Sequence, residues 1–578
     1  MDLQRVFLLL GLAVTTYMLI LAWNEDYHQG TVAAAPEVSQ TVINGASVAG
    51  SLPQMVSGDI VSEDAIPALA AVPSGSADTA GDDIVPSLSV VPAIAGSSRP
   101  ATRELISVKT DTLHLLIDPL GGDIVRAALP KFPAELKTPD VPFLLVDPGN
   151  GYVAQSGLIG PNGTDKAGAR PMFTSAENTY EMGSAETLDV ALYVTQPNGA
   201  IIEKKFSFKR GDYLVDVNYR INNVASEEWR GAMFTQIKRD SQDPISIGGN
   251  MMGMQPYVGG ATRSEDEFYR KLEFDDIEEE GYRLARTEGY IAMVQHYFIS
   301  AWVPQGEKEH TFQARKLKDK DVYLFGFTSS AIAIPSGGEA TLGASYYAGP
   351  KDQYRLKEIA EGLDLTVDYG FLWWLAQPLF YLLTVIHGVA GNWGLAIIGL
   401  TIIVKSLLYP LSATSFRSMA KMRKLQPEMA RLKERFGDDR QQFSQAMMEL
   451  YKKEGANPLG GCLPILLQMP VFLALYWALM ESVELRQAPF FLWIEDLSAM
   501  DPYFILPILM GISMFLTQKL QPEPPDPIQA RVFKLMPIMF TFFFLWFPSG
   551  LVLYWLMNNI LSILQQTYVT RQIDKEGK

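Results

Sequence analysis

A lysine sits where lipid should be. In GLTIIVKSLLYP (Gly399–Pro410) the charge of Lys405 interrupts an otherwise apolar run. A charge inside a membrane helix is expensive, so it usually faces protein or water and marks a path for ions or polar substrates. Thr401 stands four residues earlier, on the same helical face. The last apolar segment carries Tyr554, Asn558, Ser562 and Gln565/Gln566 at steps near four, a continuous polar stripe, and Gln468 stands alone among apolar neighbours. No acidic residue lies at comparable depth in the later apolar runs, so Lys405 has no evident counter-ion there. An unpaired cation beside a polar stripe suits a water-filled cavity, which attracts acidic or polar peptide segments and lowers their cost of entering the membrane.

Two plainer readings stand beside this one. Lys405 is roughly 10 Å of helix from the cytoplasmic end of its run, within reach of headgroups by snorkelling. Gln468 and Asn558 serve equally as interhelical hydrogen bonds worth about 1 kcal/mol each. Elsewhere the chemistry is thin. His114, His296 and His310 are scattered with no metal-ligand or nucleophile motif around them, so no catalytic residue, metal site or cofactor is expected. The single cysteine, Cys462, excludes an intramolecular disulfide.

The elements that position these residues follow from hydropathy and charge. The chain has 578 residues, 48% of them hydrophobic, with the apolar runs concentrated at Val6–Trp23 and after Gly394. The later runs are Gly394–Leu411, Leu463–Met480, Tyr503–Leu520, Ala530–Phe547 and Leu551–Thr570, the last two joined by Pro548–Gly550 as a tight helical hairpin. With the first run they give six transmembrane helices. From residue 400 onward 18 Lys+Arg face 15 Asp+Glu, a balance of +3, leaving −19 of the net −16 to the first 399 residues. An acidic external domain argues against direct DNA binding. Ser412–Asn457 holds ten Lys/Arg, whereas Glu481–Asp501 holds five acids and one arginine. The positive-inside rule then places both termini in the cytoplasm and the large domain outside.

The organisation is an amino-terminal anchor (1–23), a disordered tether (24–102), an all-β sandwich domain (103–365), an interfacial amphipathic helix (366–393) and a helical core (394–578). The β reading rests on short alternating runs such as LISVKTDTLHLLI, IIEKKFSFKRGDYLVDVNYRI and VYLFGFTSSAIAI. Trp373, Trp374, Tyr381 and Trp393 suit a helix lying at the outer membrane surface. The cytoplasmic loop 412–457 reads as a self-contained helical hairpin, with Met422, Leu425, Met429, Leu432 and Phe436 facing Phe443, Met447 and Leu450 across a break at Gly437–Asp439. Met422, Met429, Phe436 and Met447 are its candidate contacts with ribosomes or emerging chains, because methionine adapts to varied apolar partners.

At this point long motifs become recognisable. GNWGLAIIGLTIIVKSLLYPLSATSFRSMAKMRKLQPEM, NPLGGCLPILLQMPVFLALYWALMESVELRQAPF and WFPSGLVLYWLMNNILSILQQ resemble the YidC/Oxa/Alb family of membrane protein insertases. The likeness extends through LISVKTD, KRGDYLVDVNY and LDLTVDYG, and so spans the chain apart from the tether. It implies an α-helical integral inner-membrane protein: a five-helix insertase core, the extra anchor and a periplasmic β-supersandwich. It also implies a hydrophilic groove open to cytoplasm and lipid. Lys405 matches the groove cation, usually arginine in Gram-negative relatives, with Thr401, Gln468, Asn558 and the pair Tyr554/Trp555 around it. Met469 and Phe543 would form an apolar slide for the departing substrate. The partners implied are nascent membrane proteins, SecYEG with SecDF, the ribosome and membrane lipids, with one copy sufficient and no enzymatic step. A solute transporter would need inverted repeats, and an enzyme in the β-domain would need convergent carboxylates or histidines; neither pattern is evident. Removing the β-domain while keeping its last helix should leave insertion largely intact.

Overall fold

The computed structural model describes residues 103–576 apart from 167–168, 243–255, 265, 319, 437–438, 456–462 and 522–526. The expected anchor, the tether and Cys462 lie outside the described residues.

Alternation decides the first half. Ile201–Lys209 and Leu214–Asn222 are adjacent antiparallel strands whose side chains are buried at every second position over most of their length, the signature of a sheet with one face in the core. Gly211 turns the chain between them at φ +76°, a conformation that costs glycine little. The run from Leu105 to Ile117 likewise becomes the paired strands Ile106–Lys109 and His114–Asp118, and that from Val322 to Ile334 becomes Tyr323–Ser329 and Ile332–Ile334. Among the described residues twenty strands form two sheets, one of eleven and one of nine. One continuous apolar core takes Leu115, Ile117, Ile237 and Phe325 from the larger sheet and Phe206, Val217, Trp302 and Tyr346 from the smaller. Two short helices, α1 (Phe274–Glu279) and α2 (Gln353–Ile359), interrupt and close the domain, which ends in a 3-10 turn at Leu363–Thr366.

The rest is helical: α3 (Trp373–Ala390), α4 (Trp393–Leu407), α5 (Tyr409–Phe436), α6 (Arg440–Lys453), α7 (Leu463–Glu481), α8 (Ile505–Lys519), α9 (Pro527–Phe543) and α10 (Ser549–Glu576). Helix α3 buries Ala376, Phe380 and Leu383, packs on α4 and α7, and leaves Trp373, Trp374 and Tyr381 exposed. By length and composition alone Gly370–Ala390 suffices to cross a membrane, as do α4 and α5 together across a 68° bend. That bend shortens the expected span Gly394–Leu411. Pro410 has no N–H to give to the carbonyl of Ser406, so α4 stops at Leu407 and α5 starts in a new direction. Asn392 caps α4 by accepting from Leu395 N at 3.0 Å, and Asp439 caps α6 by accepting from Gln441 N and Gln442 N, both at 3.0 Å.

Two expectations need correcting. The last two helices do not form a tight hairpin: α9 packs chiefly on α8, where a Cβ on Gly511 would collide with Thr541 Oγ1, so glycine permits the close approach. The helical hairpin expected in the cytoplasm is not self-contained either. The cluster of Phe416, Met419, Met422, Met429 and Tyr451 also takes in Val569, with Ile573 packed against it, both from α10. A helix of 28 residues is about 42 Å long, so its last turns extend far enough to support α5.

Candidate functional site

Helix α10 organises the site because it packs against α4, α5, α7 and α8. Its polar residues come as two doublets, Asn558–Asn559 and Gln565–Gln566, seven residues apart. Seven residues are nearly two whole turns, so each doublet repeats the same two directions. The stripe expected from the sequence therefore divides into two lines. Asn558 Nδ2 donates to Gln468 Oε1 of α7 at 3.2 Å, and Gln565 Nε2 to the Lys405 carbonyl of α4 at 3.3 Å. On the other side Asn559 Nδ2 donates to Ser513 Oγ of α8 at 3.0 Å, and Gln566 Nε2 to the Leu520 carbonyl at 3.0 Å.

Lys405 lies in the first line, 3% exposed. Its ammonium donates to Ser562 Oγ at 2.6 Å, and Ser562 in turn donates to the Asn558 carbonyl at 2.8 Å. Among the described residues no carboxylate pairs with it, and Ser562 is its sole hydrogen-bond acceptor, leaving two of three N–H donors unassigned. Ser562 was visible in the stripe, but its selection as Lys405's partner depends on the register between α4 and α10. Thr401 is buried one turn away, yet its hydroxyl donates to the Ile397 carbonyl at 2.6 Å and so is spent on its own helix.

The aromatic pair stands nearer the start of α10. Tyr554 is 3% exposed and stacks 6.4 Å from Phe472. Trp555 meets Phe472 edge-on at 4.5 Å and Phe544 at 5.5 Å, and its buried Nε1 has no hydrogen-bond partner among the described residues. Phe543 belongs to the same aromatic wall, 4.7 Å from Phe547. Met469, beside Gln468, is 38% exposed and stands apart from that wall. The site residues thus fall into a polar line (Lys405, Gln468, Asn558), an aromatic wall (Tyr554, Trp555, Phe543) and an exposed methionine.

In the hairpin of α5 and α6 Met422 and Met429 are buried, with Tyr451 Oη donating to Met429 Sδ at 3.5 Å. Met447 and Phe436 are half-buried, the latter under the Arg435 guanidinium at 5.2 Å. The methionine that does face outward is Met448. Sequence periodicity misses it because it falls off the stripe.

In the β-domain the histidines are placed structurally. His114 lies 3.4 Å from Ser107 Oγ, His310 is buried against Phe327, and His296 donates through Nε2 to the Met480 carbonyl at 2.9 Å. A buried cluster that the sequence did not announce joins Arg170 to Asp123 and Asp165, while Lys204 donates to the carbonyls of Gly121 and Gly122 at 3.0 and 2.7 Å. Burial pushes the Lys204 ammonium down to about 7. Its contacts are with the domain's own backbone, which makes it a brace.

The profile of the family described as 60Kd inner membrane protein matches residues 385–576, and that of the YidC periplasmic domain matches residues 105–382. The membrane protein insertase YidC of Cellvibrio japonicus (strain Ueda107) is 51% identical over 577 residues, covering 100% of this chain and 99% of the relative. That of Pseudomonas entomophila (strain L48) is 48% identical over 581 residues, with 100% and 99% covered. A crystal structure of an active YidC insertase with its first transmembrane domain resolved is 18% identical, covers 80% of this chain and 92% of that one, and superposes with a TM-score of 0.36.

Proposed function

This chain belongs to the YidC family of membrane protein insertases, non-enzymatic inner-membrane proteins with a periplasmic domain, and we propose that it takes up nascent membrane proteins along the polar line around Lys405. The observation that carries this reading is the Lys405 ammonium, buried and, among the described residues, without a carboxylate and with one neutral acceptor. Placing a lysine at the centre of a membrane helix costs about 3 kcal/mol on insertion scales, a cost that water and a polar segment of substrate, supplying the missing acceptors, would offset. Thr401, Gln468, Tyr554, Trp555 and Asn558 bound this groove, open to cytoplasm and lipid. Once the polar segment is held, partition of the substrate's apolar helix into lipid drives the step. Met469 and Phe543 line its exit, the first because it is exposed and the second because it ends an aromatic wall.

The proposal includes six spans with both termini cytoplasmic, α3 lying at the periplasmic interface, and the hairpin meeting ribosome and nascent chain in the cytoplasm. Cooperation with SecYEG and SecDF, and action as a single copy, follow from the family resemblance. Site-specific crosslinking to stalled nascent chains in depleted, complemented cells tests the groove. Crosslinks from Thr401, Lys405, Met469 and Phe543 during active insertion are expected, and their absence from all four would overturn it. A second reading, in which the polar line is only interhelical glue, is favoured by the Gln468–Asn558 bond and predicts that absence.

A further inference from the structure

The periplasmic end of α7 is held by the β-domain. Glu481, its last residue, pairs with Lys351 at 2.5 Å, with side chains 3% and 2% exposed. Lys351, just beyond the last strand of the β-domain (Glu339–Pro350), also reaches the Thr366 carbonyl at 3.3 Å. One residue before Glu481, the Met480 carbonyl accepts from His296. Two residues after it, Val483 is 6% exposed and belongs to the apolar core of the β-domain itself. Arg486 then donates to the carbonyls of Pro133 and Ala134 at 2.7 and 3.2 Å, and its guanidinium lies 5.6 Å from the rings of both Phe143 and Phe298. Gln487 adds a bond to the Pro133 carbonyl at 3.3 Å. Within Met480–Gln487, an apolar plug, a buried ion pair and a stacked arginine engage residues between 133 and 351 of the β-domain.

We propose that the β-domain is a clamp on α7, with Lys351 and Glu481 as positioning residues for insertion. Helix α7 carries Gln468 and Met469, and Gln468 lies thirteen residues from Glu481, about 20 Å along the helix. A helix transmits rotation or sliding at one end to the other, so the clamp fixes the register in which Gln468 meets Asn558. Deleting the whole β-domain removes Lys351 and opens Glu481 to water, so no unpaired charge is left buried. Breaking the pair singly leaves one charge buried and uncompensated, which is the more disruptive change.

The test is a charge exchange in the full-length chain: Lys351→Glu, Glu481→Lys and the double variant, reconstituted into phosphatidylethanolamine–phosphatidylglycerol vesicles. Insertion of a single-span substrate and hydrogen exchange over Met480–Gln487 are both read. Each single variant is expected to lose insertion by about tenfold and to expose the segment to exchange, because a buried charge has lost its partner. The double variant is expected to recover both within roughly threefold, since the coupling belongs to the pair. Wild-type behaviour in both singles, or a double variant no better than the worse single or unable to fold, would overturn the clamp. Val483→Asp is a second probe: it should release the same segment to exchange and lower insertion while the β-strands stay protected, and an unchanged segment counts against the proposal. Hydrogen exchange over Met480–Gln487 does not use the groove contacts, so clamp and groove fail separately.

Discussion

At the scale of the residue, Lys405 decides between two accounts. A snorkelling lysine extends toward headgroups, but this ammonium is buried on Ser562 of the facing helix. Its charge should therefore matter to substrates. Lys405→Glu is expected to lower insertion of acidic-tailed substrates by about tenfold or more, since a like charge replaces an attraction. Lys405→Arg should stay near wild type, because arginine retains the charge and adds donors. Complementation of depleted cells with pulse-labelled substrate measures this; normal insertion by both Lys405→Ala and Lys405→Glu would mean the charge is not used. The lysine and its missing counter-ion were legible because both are counts along the chain. The Ser562 contact spans 157 residues, and nothing local announces it.

At the scale of the element, α10 joins several parts of the helical region. Its two doublets tie it to opposite neighbours, and its last turns carry Val569 and Ile573 into the hairpin core. Val569→Asp places a carboxylate in that core and should cost about 2 kcal/mol or more of local stability. The expected result is faster proteolysis across Tyr409–Lys453 with the β-domain still resistant, measured by limited proteolysis in detergent. Equal cleavage of wild type and variant would show that the hairpin stands alone. Heptad spacing correctly brought Met422 and Met429 to an apolar face, but it could not tell that α10 shares it. Periodicity identifies a face and never its occupant.

At the scale of the whole molecule, buried histidines make stability depend on pH. Burial, with Lys351 nearby, holds the His296 imidazole down to about 3, and burial holds His310 down to about 4, against an ordinary 6.5. Between those values and 6.5 the unfolded chain binds protons that the folded chain refuses, so these groups lower stability as pH falls through that window. Below about 3 their contribution levels off. The contribution of these two histidines should therefore fall between pH 7 and pH 4, against an opposite contribution from the buried Glu484 carboxyl, held up to about 7. His296→Gln should shift the slope if the variant folds. Thermal unfolding across a pH series checks it; parallel profiles for wild type and variant would mean that His296 does not set the slope. His296 sits on the Met480 carbonyl, so part of this loss falls where the β-domain grips α7.

The sequence by itself determined the two bodies of this protein, the strands of one and the helices of the other, and the polar residues stranded in apolar runs. Those are local properties, since alternation, hydropathy and turn chemistry are read within a few residues. It also placed the chain in its family, because long motifs are specific. Only the tertiary structure decided which groups meet: Lys405 with Ser562, Asn558 with Gln468, Lys351 with Glu481. These pairs are 157, 90 and 130 residues apart. Each depends on the rotation and register of packed elements, which side-chain packing sets collectively and no single segment carries.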